Sequence, residues 1–306
     1  ANSAASVAFN QLVTDYETHQ EANSNARRGR DGDLEALASW DDISADAQAN
    51  DNVADVAFLA RLDAIDASQL TSSEQVSHAV LDYILRFSVE LSQYNTSRIP
   101  FLSDSGFFFT PSYAAASTRP RTIEEGEAWI RRVEGIDGYF GQNLDWMTQG
   151  LNEGFTQPRI IVEGAISQLE GLLADDVLEG VLILPIENMS PALDEGERER
   201  LRSEAEAAIR DHAIPAYQRV LDFFNDQYMT GSRDSIGISE VPGGREYYQS
   251  LVRYHTTLDT SPEEVHQRGL SEVARIRAEM EAVIAETGFE GTFAEFLEFL
   301  RTDPQF

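Results

Sequence analysis

The densest group of side chains able to contact a substrate lies between Tyr247 and Thr256. Tyrosines, an arginine and a histidine recur there at helical spacing, directly after the chain-breaking Pro242-Gly243-Gly244 turn. An arginine can bind a carboxylate through two parallel hydrogen bonds, whereas tyrosine and histidine form single ones. A second interpretation is equally open, in which the tyrosines and the histidine close the end of their helix and bond to the following threonine loop.

Patterns for metal-dependent or nucleophilic catalysis are missing from the sequence. The chain has no cysteine and no G-x-S-x-G motif, and none of its histidines is followed by glutamate or lies four residues from another; they are His19, His78, His212, His255 and His266. Glu263 and His266 have the spacing used in di-iron bundles, but those sites need the pattern twice. We therefore predict no catalytic residue and no metal site in this chain. Glu263 and His266 are predicted to be solvated side chains at the start of a helix.

Helix signals dominate the sequence. Thr71, Ser261 and Thr292 each precede a glutamate by three residues, the pattern of a capping box at a helix start. Apolar residues at three- and four-residue steps predict long helices over 6–20, 46–66, 72–94, 158–173, 195–228 and 261–288, with further helices after Thr122 and Thr292. We predict an all-α, multilayer architecture of long kinked helices forming one domain over residues 1–306, with at most one short β-hairpin in 100–120.

Four local patterns refine this prediction. Pro215 should kink the helix over 195–228, and the polar, arginine-rich residues 21–33 should form a loop. The glycines at 135, 138 and 141 favour close helix packing, because no predicted strand precedes them as a phosphate loop requires. The helix over 72–94 should have an apolar face made of Val76, Val80, Tyr83, Ile84 and Phe87.

Charge limits the partners of the chain. Its formal net charge is -30 and all 23 of its basic residues are arginine, so no basic surface for nucleic acid or an anionic membrane is expected. Two interpretations of the acidity stay open: general solubility, or a field that attracts cationic peptides. The apolar run at 181–186 is far shorter than the roughly 20 residues of a membrane-spanning helix. A processed N-terminus is expected, because the chain begins with Ala-Asn-Ser.

Three stretches resemble one bacterial family. They are GGREYYQSLVRYHTT followed by SPEEVH-x-x-GL-x-EVARIRAEM, the run over 119–173 that begins RPRTIEEGEAWIRR, and IPAYQRVLDFFNDQY at 214–228. Their sequences are similar to those of the family called domain of unknown function 885, whose full-length members resemble zinc metallopeptidases of the gluzincin type. The resemblance covers residues 71–306. Family members are roughly double this length, and their zinc signature lies in the half that this chain does not contain.

The resemblance implies a function for the longer protein. It implies that this chain is the N-terminal half of an exported, zinc-dependent peptidase-like hydrolase, inert by itself, with zinc bound in the missing half and with a periplasmic or cell-envelope, lipoprotein location. By analogy with related helical peptidases, Tyr248, Arg253 and His255 would orient a peptide's carbonyls or terminal carboxylate in a cleft. The face toward the missing half would be apolar and could pair two copies. The alternative is an all-α binding or scaffold protein with a helical groove and no chemistry.

Overall fold

The computed structural model describes residues 3–174 and 176–305. Helices joined by turns make up this part of the chain, and no β-strand occurs in it, so the all-α prediction is confirmed. The chain divides into two compact units, Ala1–Gly244 and Arg245–Phe306. The interpretation of residues 1–306 as a single domain and as half of a longer protein stays a prediction.

The first unit begins with a small helical layer. Its helices are α1 (Ala4–Ala22), α2 (Asn25–Arg30), α3 (Leu34–Leu37), α4 (Ala45–Asp63) and α5 (Ser72–Ser92). Helices α1, α4 and α5 enclose a separate core that contains Phe9, Leu12, Phe58, Leu62, Leu70, Leu81 and Leu85. The capping box of α5 is confirmed, and its Glu74 also accepts a 2.9 Å hydrogen bond from the Ser6 hydroxyl of α1. Hydrogen bonds from Thr71 and Ser6 lower the pKa of Glu74 to about 2.

Residues 21–33 are not the loop that their polarity predicted, because α2 forms within them. The Ser24 hydroxyl accepts a hydrogen bond from the Arg27 N–H and starts the helix. A Cβ added to Gly29 would lie 3.0 Å from the Cα of Leu37, so a larger residue would force α2 and α3 slightly apart. Polar composition hid this short helix, since a neighbouring helix rather than an apolar stripe supports it.

The larger layers of the first unit follow. They comprise α6 (Thr110–Ser117), α7 (Ile123–Glu134), α8 (Ile136–Glu153), α9 (Arg159–Leu173), α10 (Val177–Leu182), α11 (Leu184–Glu187), α12 (Glu195–Ala208), α13 (Ile214–Phe223) and α14 (Met229–Gly231). In place of a hairpin, the segment 100–120 has one antiparallel bridge between Phe101 and Gly106. Its phenylalanines enter the main core, where the buried Tyr217 hydroxyl donates a 2.7 Å hydrogen bond to the Phe108 carbonyl.

The helical run over 195–231 is irregular where proline predicted a disturbance. A π-helical segment, Ile209–Ala213, ends directly before α13, whose second residue is Pro215. Proline cannot donate a backbone hydrogen bond, so the regular ladder is interrupted there. A second π-helical segment, Phe224–Tyr228, separates α13 from α14 and has no proline.

The prediction of close helix packing at the three glycines is wrong, because a Cβ at any of them would meet no atom closer than 3.5 Å. A Cβ on Gly138 would meet nothing within 4 Å, and one on Gly141 would meet only the Arg219 guanidinium at 3.6 Å. Gly135 marks the boundary between α7 and α8. Close backbone approach occurs instead at Gly150, where an added Cβ would lie 2.7 Å from the Phe155 carbonyl oxygen.

The second unit contains α15 (Gly244–Thr256), α16 (Pro262–Glu286) and α17 (Phe293–Thr302). The predicted capping boxes at Ser261 and Thr292 are both formed. Helix α16 ends before Gly288, whose φ of 73° places it in the left-handed region that favours glycine. Rings of Phe289, Phe296 and Phe299 contact one another at the start and along the face of α17.

Candidate functional site

Two of the three predicted substrate-binding residues share one face of α15. Tyr248 and His255 lie seven residues apart, which is about two helical turns, and both are exposed. Arg253 is also exposed, but five residues of helix rotate it about 140° from Tyr248. The helix therefore aligns Tyr248 with His255 and directs Arg253 to another side. Their role in binding substrate stays a prediction.

The end of α15 is closed by a threonine. The Thr256 hydroxyl donates a 2.7 Å hydrogen bond to the Val252 carbonyl and accepts one of 3.2 Å from the Leu258 N–H. His255 packs edge-on against the ring of Tyr254, with ring centroids 5.0 Å apart. This closure of the loop does not use the His255 imidazole, which leaves that side chain accessible for a ligand.

Residues 3–174 and 176–305 contain no group of three or more histidines and carboxylates placed to hold a metal ion. Glu263 and His266 both lie exposed in the first turns of α16. Within the same ranges, no helix is both long enough and apolar enough to cross a membrane. Zinc in a longer protein stays a prediction.

A second candidate site is a cleft of about 420 Å³ in the first unit, between α2, the end of α6 and α7. Four of its lining residues are arginines, one from α2, two from the connection between α6 and α7 and one from the last turn of α7: Arg30, Arg119, Arg121 and Arg132. Glu125 is the one acidic residue among those that line it. The lining is therefore strongly cationic in a chain whose net charge is -30.

Arg132 is the buried member of this set. Its side chain is only 7% exposed, its guanidinium carbon lies 4.4 Å from the centre of the Trp40 indole, and its Nε has no hydrogen-bond partner among the described residues. Desolvation lowers the pKa of Arg132, and the charge of Asp41 opposes that shift. Asp41 itself accepts a 2.7 Å hydrogen bond from the Asn25 N–H. Arg132 is thus a buried cation whose donors are incompletely used.

The other groups around the cleft are more exposed. Arg119 donates a 2.7 Å hydrogen bond to the Thr118 carbonyl, which holds its side chain at the end of α6. Glu125 accepts a 2.5 Å hydrogen bond from the Arg121 backbone N–H, so one carboxylate oxygen serves the start of α7. Arg30 and Arg121 are both exposed, and their guanidinium groups form no ion pair with other described residues.

Sequence reasoning missed this cleft, because Arg30 lies about 90 to 100 residues before the other three arginines in the chain. The distribution of arginine along the sequence nevertheless indicated the two segments. Seven of the 23 basic residues fall in two short segments, with three at 27–30 and four at 119–132. Such local enrichment in a chain poor in cations identifies both segments, but only the packing of α2 and α3 beside α7 shows that they meet.

The fold is shared with larger bacterial proteins of known structure. A candidate lipoprotein from Colwellia psychrerythraea matches with a TM-score of 0.82 at 19% identity, over 98% of this chain and 55% of that chain. A candidate lipoprotein of unknown function from Shewanella oneidensis matches with a TM-score of 0.58 at 15% identity, over 93% of this chain and 49% of that chain. The chain thus spans about half the length of these structures. No curated protein matches the sequence.

These structural matches place the chain in a class of all-helical folds that also occur as part of larger chains. The sequence itself matches the family described as bacterial protein of unknown function (DUF885) over residues 26–306. The chain therefore belongs to the DUF885 family.

Proposed function

We propose that this chain is the N-terminal, cleft-forming half of a longer, envelope-associated hydrolase that acts on peptides, and that it is catalytically inert by itself. In this proposal the zinc-binding residues lie in the other half. The chain supplies helical walls and polar side chains that hold the substrate.

The observation that carries this proposal is an apolar stripe along α16. Leu270, Val273, Ile276, Met280 and Val283 recur at three- and four-residue steps, and each is at least 41% exposed. A stripe of this kind normally packs against another helix, since leaving it in water forgoes the hydrophobic free energy of burial. A further part of the same protein is the proposed cover, and in its absence the stripe could pair two copies of this chain.

Two further considerations support the proposal. The chain spans 55% and 49% of the two matched structures, and both of those are described as candidate lipoproteins, which favours an envelope location for this protein too. Residues 243–280 resemble a family with gluzincin-type members, and this resemblance is the reason for proposing zinc-dependent peptide hydrolysis.

In this proposal the exposed row of Tyr248 and His255 on α15 contacts the substrate. Both side chains can hydrogen-bond to peptide carbonyls, and two turns of helix separate them by about 10 Å, the length of roughly three extended residues. Arg253 lies on another side of the helix and would reach only a group beside that row, such as a terminal carboxylate.

His255→Ala in the longer protein tests this role. We expect kcat/KM for peptide hydrolysis to fall about tenfold or more, because a hydrogen bond that orients the substrate is lost. The free energy of unfolding should change by no more than about 0.5 kcal/mol, since the imidazole is exposed. Turnover and thermal denaturation would be measured on the same preparations.

His266→Ala is the matched control, because His266 is also exposed on a helix of the second unit. It should leave both turnover and stability unchanged. If His255→Ala loses activity only in proportion to lost stability, or loses no more than His266→Ala, the substrate-binding role is wrong.

A non-enzymatic binding protein is the second candidate. The arginine-lined cleft favours it, because this cleft lies wholly within the first unit and needs no metal or further chain to form.

A further inference from the structure

We propose that the cleft between α2, α6 and α7 binds a small molecule through a carboxylate or phosphate group. The inference is independent of the hydrolase proposal, since every residue that it uses lies in the first unit and none lies on α15. We call this cleft the arginine cleft and define it by Arg30, Arg119, Arg121 and Arg132.

The positive charge of the cleft lining favours an anionic ligand. Four guanidinium groups and one carboxylate line the arginine cleft, although acidic residues outnumber basic ones by 53 to 23 in the whole chain. Like charges brought together this way repel one another unless counter-charges separate them. An anion between the arginines would convert that repulsion into attraction and would stabilise the folded unit.

Arg132 places a buried positive charge beside the cleft. A buried cation is stable when it is paired and hydrogen-bonded, and leaving one partner out is costly. Arg132 is only 7% exposed, its guanidinium lies over the Trp40 ring, and its Nε has no hydrogen-bond partner within the described part of the chain. Arg132 also lines the cleft, so an oxyanion bound there would neutralise its charge, whereas a cation or an apolar group would not.

The donor geometry of arginine and the volume of the cleft also fit a small anion. Arginine presents paired N–H donors that match the two oxygens of a carboxylate or phosphate. The arginine cleft has a volume of about 420 Å³, within the range of small-molecule sites. Arg132 is the buried arginine of the cleft, whereas Arg30 and Arg121 are exposed at its rim. This arrangement fits a small anionic molecule with its charged group directed inward.

Binding of inorganic phosphate and of succinate to the intact chain tests the inference. Each probe would be titrated calorimetrically at constant ionic strength, with sodium chloride as the balancing salt. We expect saturable binding of at least one probe. Phosphate alone would identify a phosphate-bearing ligand, succinate alone a carboxylate, and both would show that the cleft recognises the shared oxyanion.

The double variant Arg30→Gln/Arg121→Gln should weaken that binding about tenfold or more, because two charge-assisted contacts are removed. Both side chains are exposed, so the variant should fold normally. Arg210→Gln/Arg268→Gln removes the same total charge from exposed positions that do not line the cleft, and it should retain the affinity. Absence of saturable binding of either probe, or equal affinities in the two double variants, would overturn the inference.

Discussion

Replacing Trp129 with alanine should lower the free energy of unfolding by about 3–5 kcal/mol. Its side chain is fully buried in the main core, and its indole N–H donates a 3.0 Å hydrogen bond to the Leu182 carbonyl. The substitution would remove a large apolar surface, leave a cavity and leave that carbonyl without its partner. Urea denaturation followed by far-ultraviolet circular dichroism measures the change without depending on tryptophan fluorescence.

Tyr113→Ala is the control for this prediction, because Tyr113 is a large aromatic residue that is 63% exposed. It should alter the free energy of unfolding by about 0.5 kcal/mol or less. A Trp129→Ala variant as stable as Tyr113→Ala would show that Trp129 is not buried in the main core as described.

Gly150→Ala should destabilise the chain by about 1–3 kcal/mol, the cost of forcing extra volume into a filled site. A Cβ at this position of α8 would lie 2.7 Å from the Phe155 carbonyl oxygen and 3.0 Å from that of Arg98. Both obstacles are backbone atoms, so a side-chain rotation cannot relieve the contact. The same denaturation experiment measures the loss.

Gly171→Ala provides a control of opposite sign. Gly171 lies within helix α9, and a Cβ there would meet nothing within 4 Å. Alanine should therefore stabilise the chain by about 0.5–1 kcal/mol through its greater helix propensity. Two identical substitutions in helices would thus differ in sign, and a shared sign would contradict the packing at Gly150.

Local chemistry predicted the parts of the fold that depend on neighbours in sequence. The capping boxes at Thr71, Ser261 and Thr292, and the interruption before Pro215, all follow from groups within one helical turn. Such interactions involve only neighbours in sequence, so the sequence alone is sufficient to predict them.

Which face of a helix is buried depends on tertiary contacts, which hydrophobic periodicity alone does not reveal. The apolar face predicted for α5 includes Val76 and Val80, which are exposed, whereas Leu81 and Leu85 pack against α1 and α4. Helix α5 is apolar on more than one side, and only the position of its partners selects the buried side. The short helix α2 was missed for a related reason, because α3 rather than its own sequence supports it.

The two candidate sites differ in how far the sequence could predict them. Helical spacing suffices to align Tyr248 with His255 and to set Arg253 apart, since all three lie on α15. The arginine cleft instead joins α2 to α7 across about 100 residues, and its key feature is the charge of the buried Arg132. That feature depends on the packing of Trp40, which no local pattern encodes.

The most direct test of the proposed function is to measure zinc content and peptide-library hydrolysis for this chain and for the product of the whole gene, side by side. Zinc should be measured by elemental analysis after dialysis, and turnover should be measured with and without a chelator. We expect stoichiometric zinc and chelator-sensitive hydrolysis in the longer protein, and neither in this chain. Zinc bound by this chain alone, or a longer protein without zinc and without turnover, would contradict the proposal that this chain is the cleft-forming half of a zinc-dependent hydrolase.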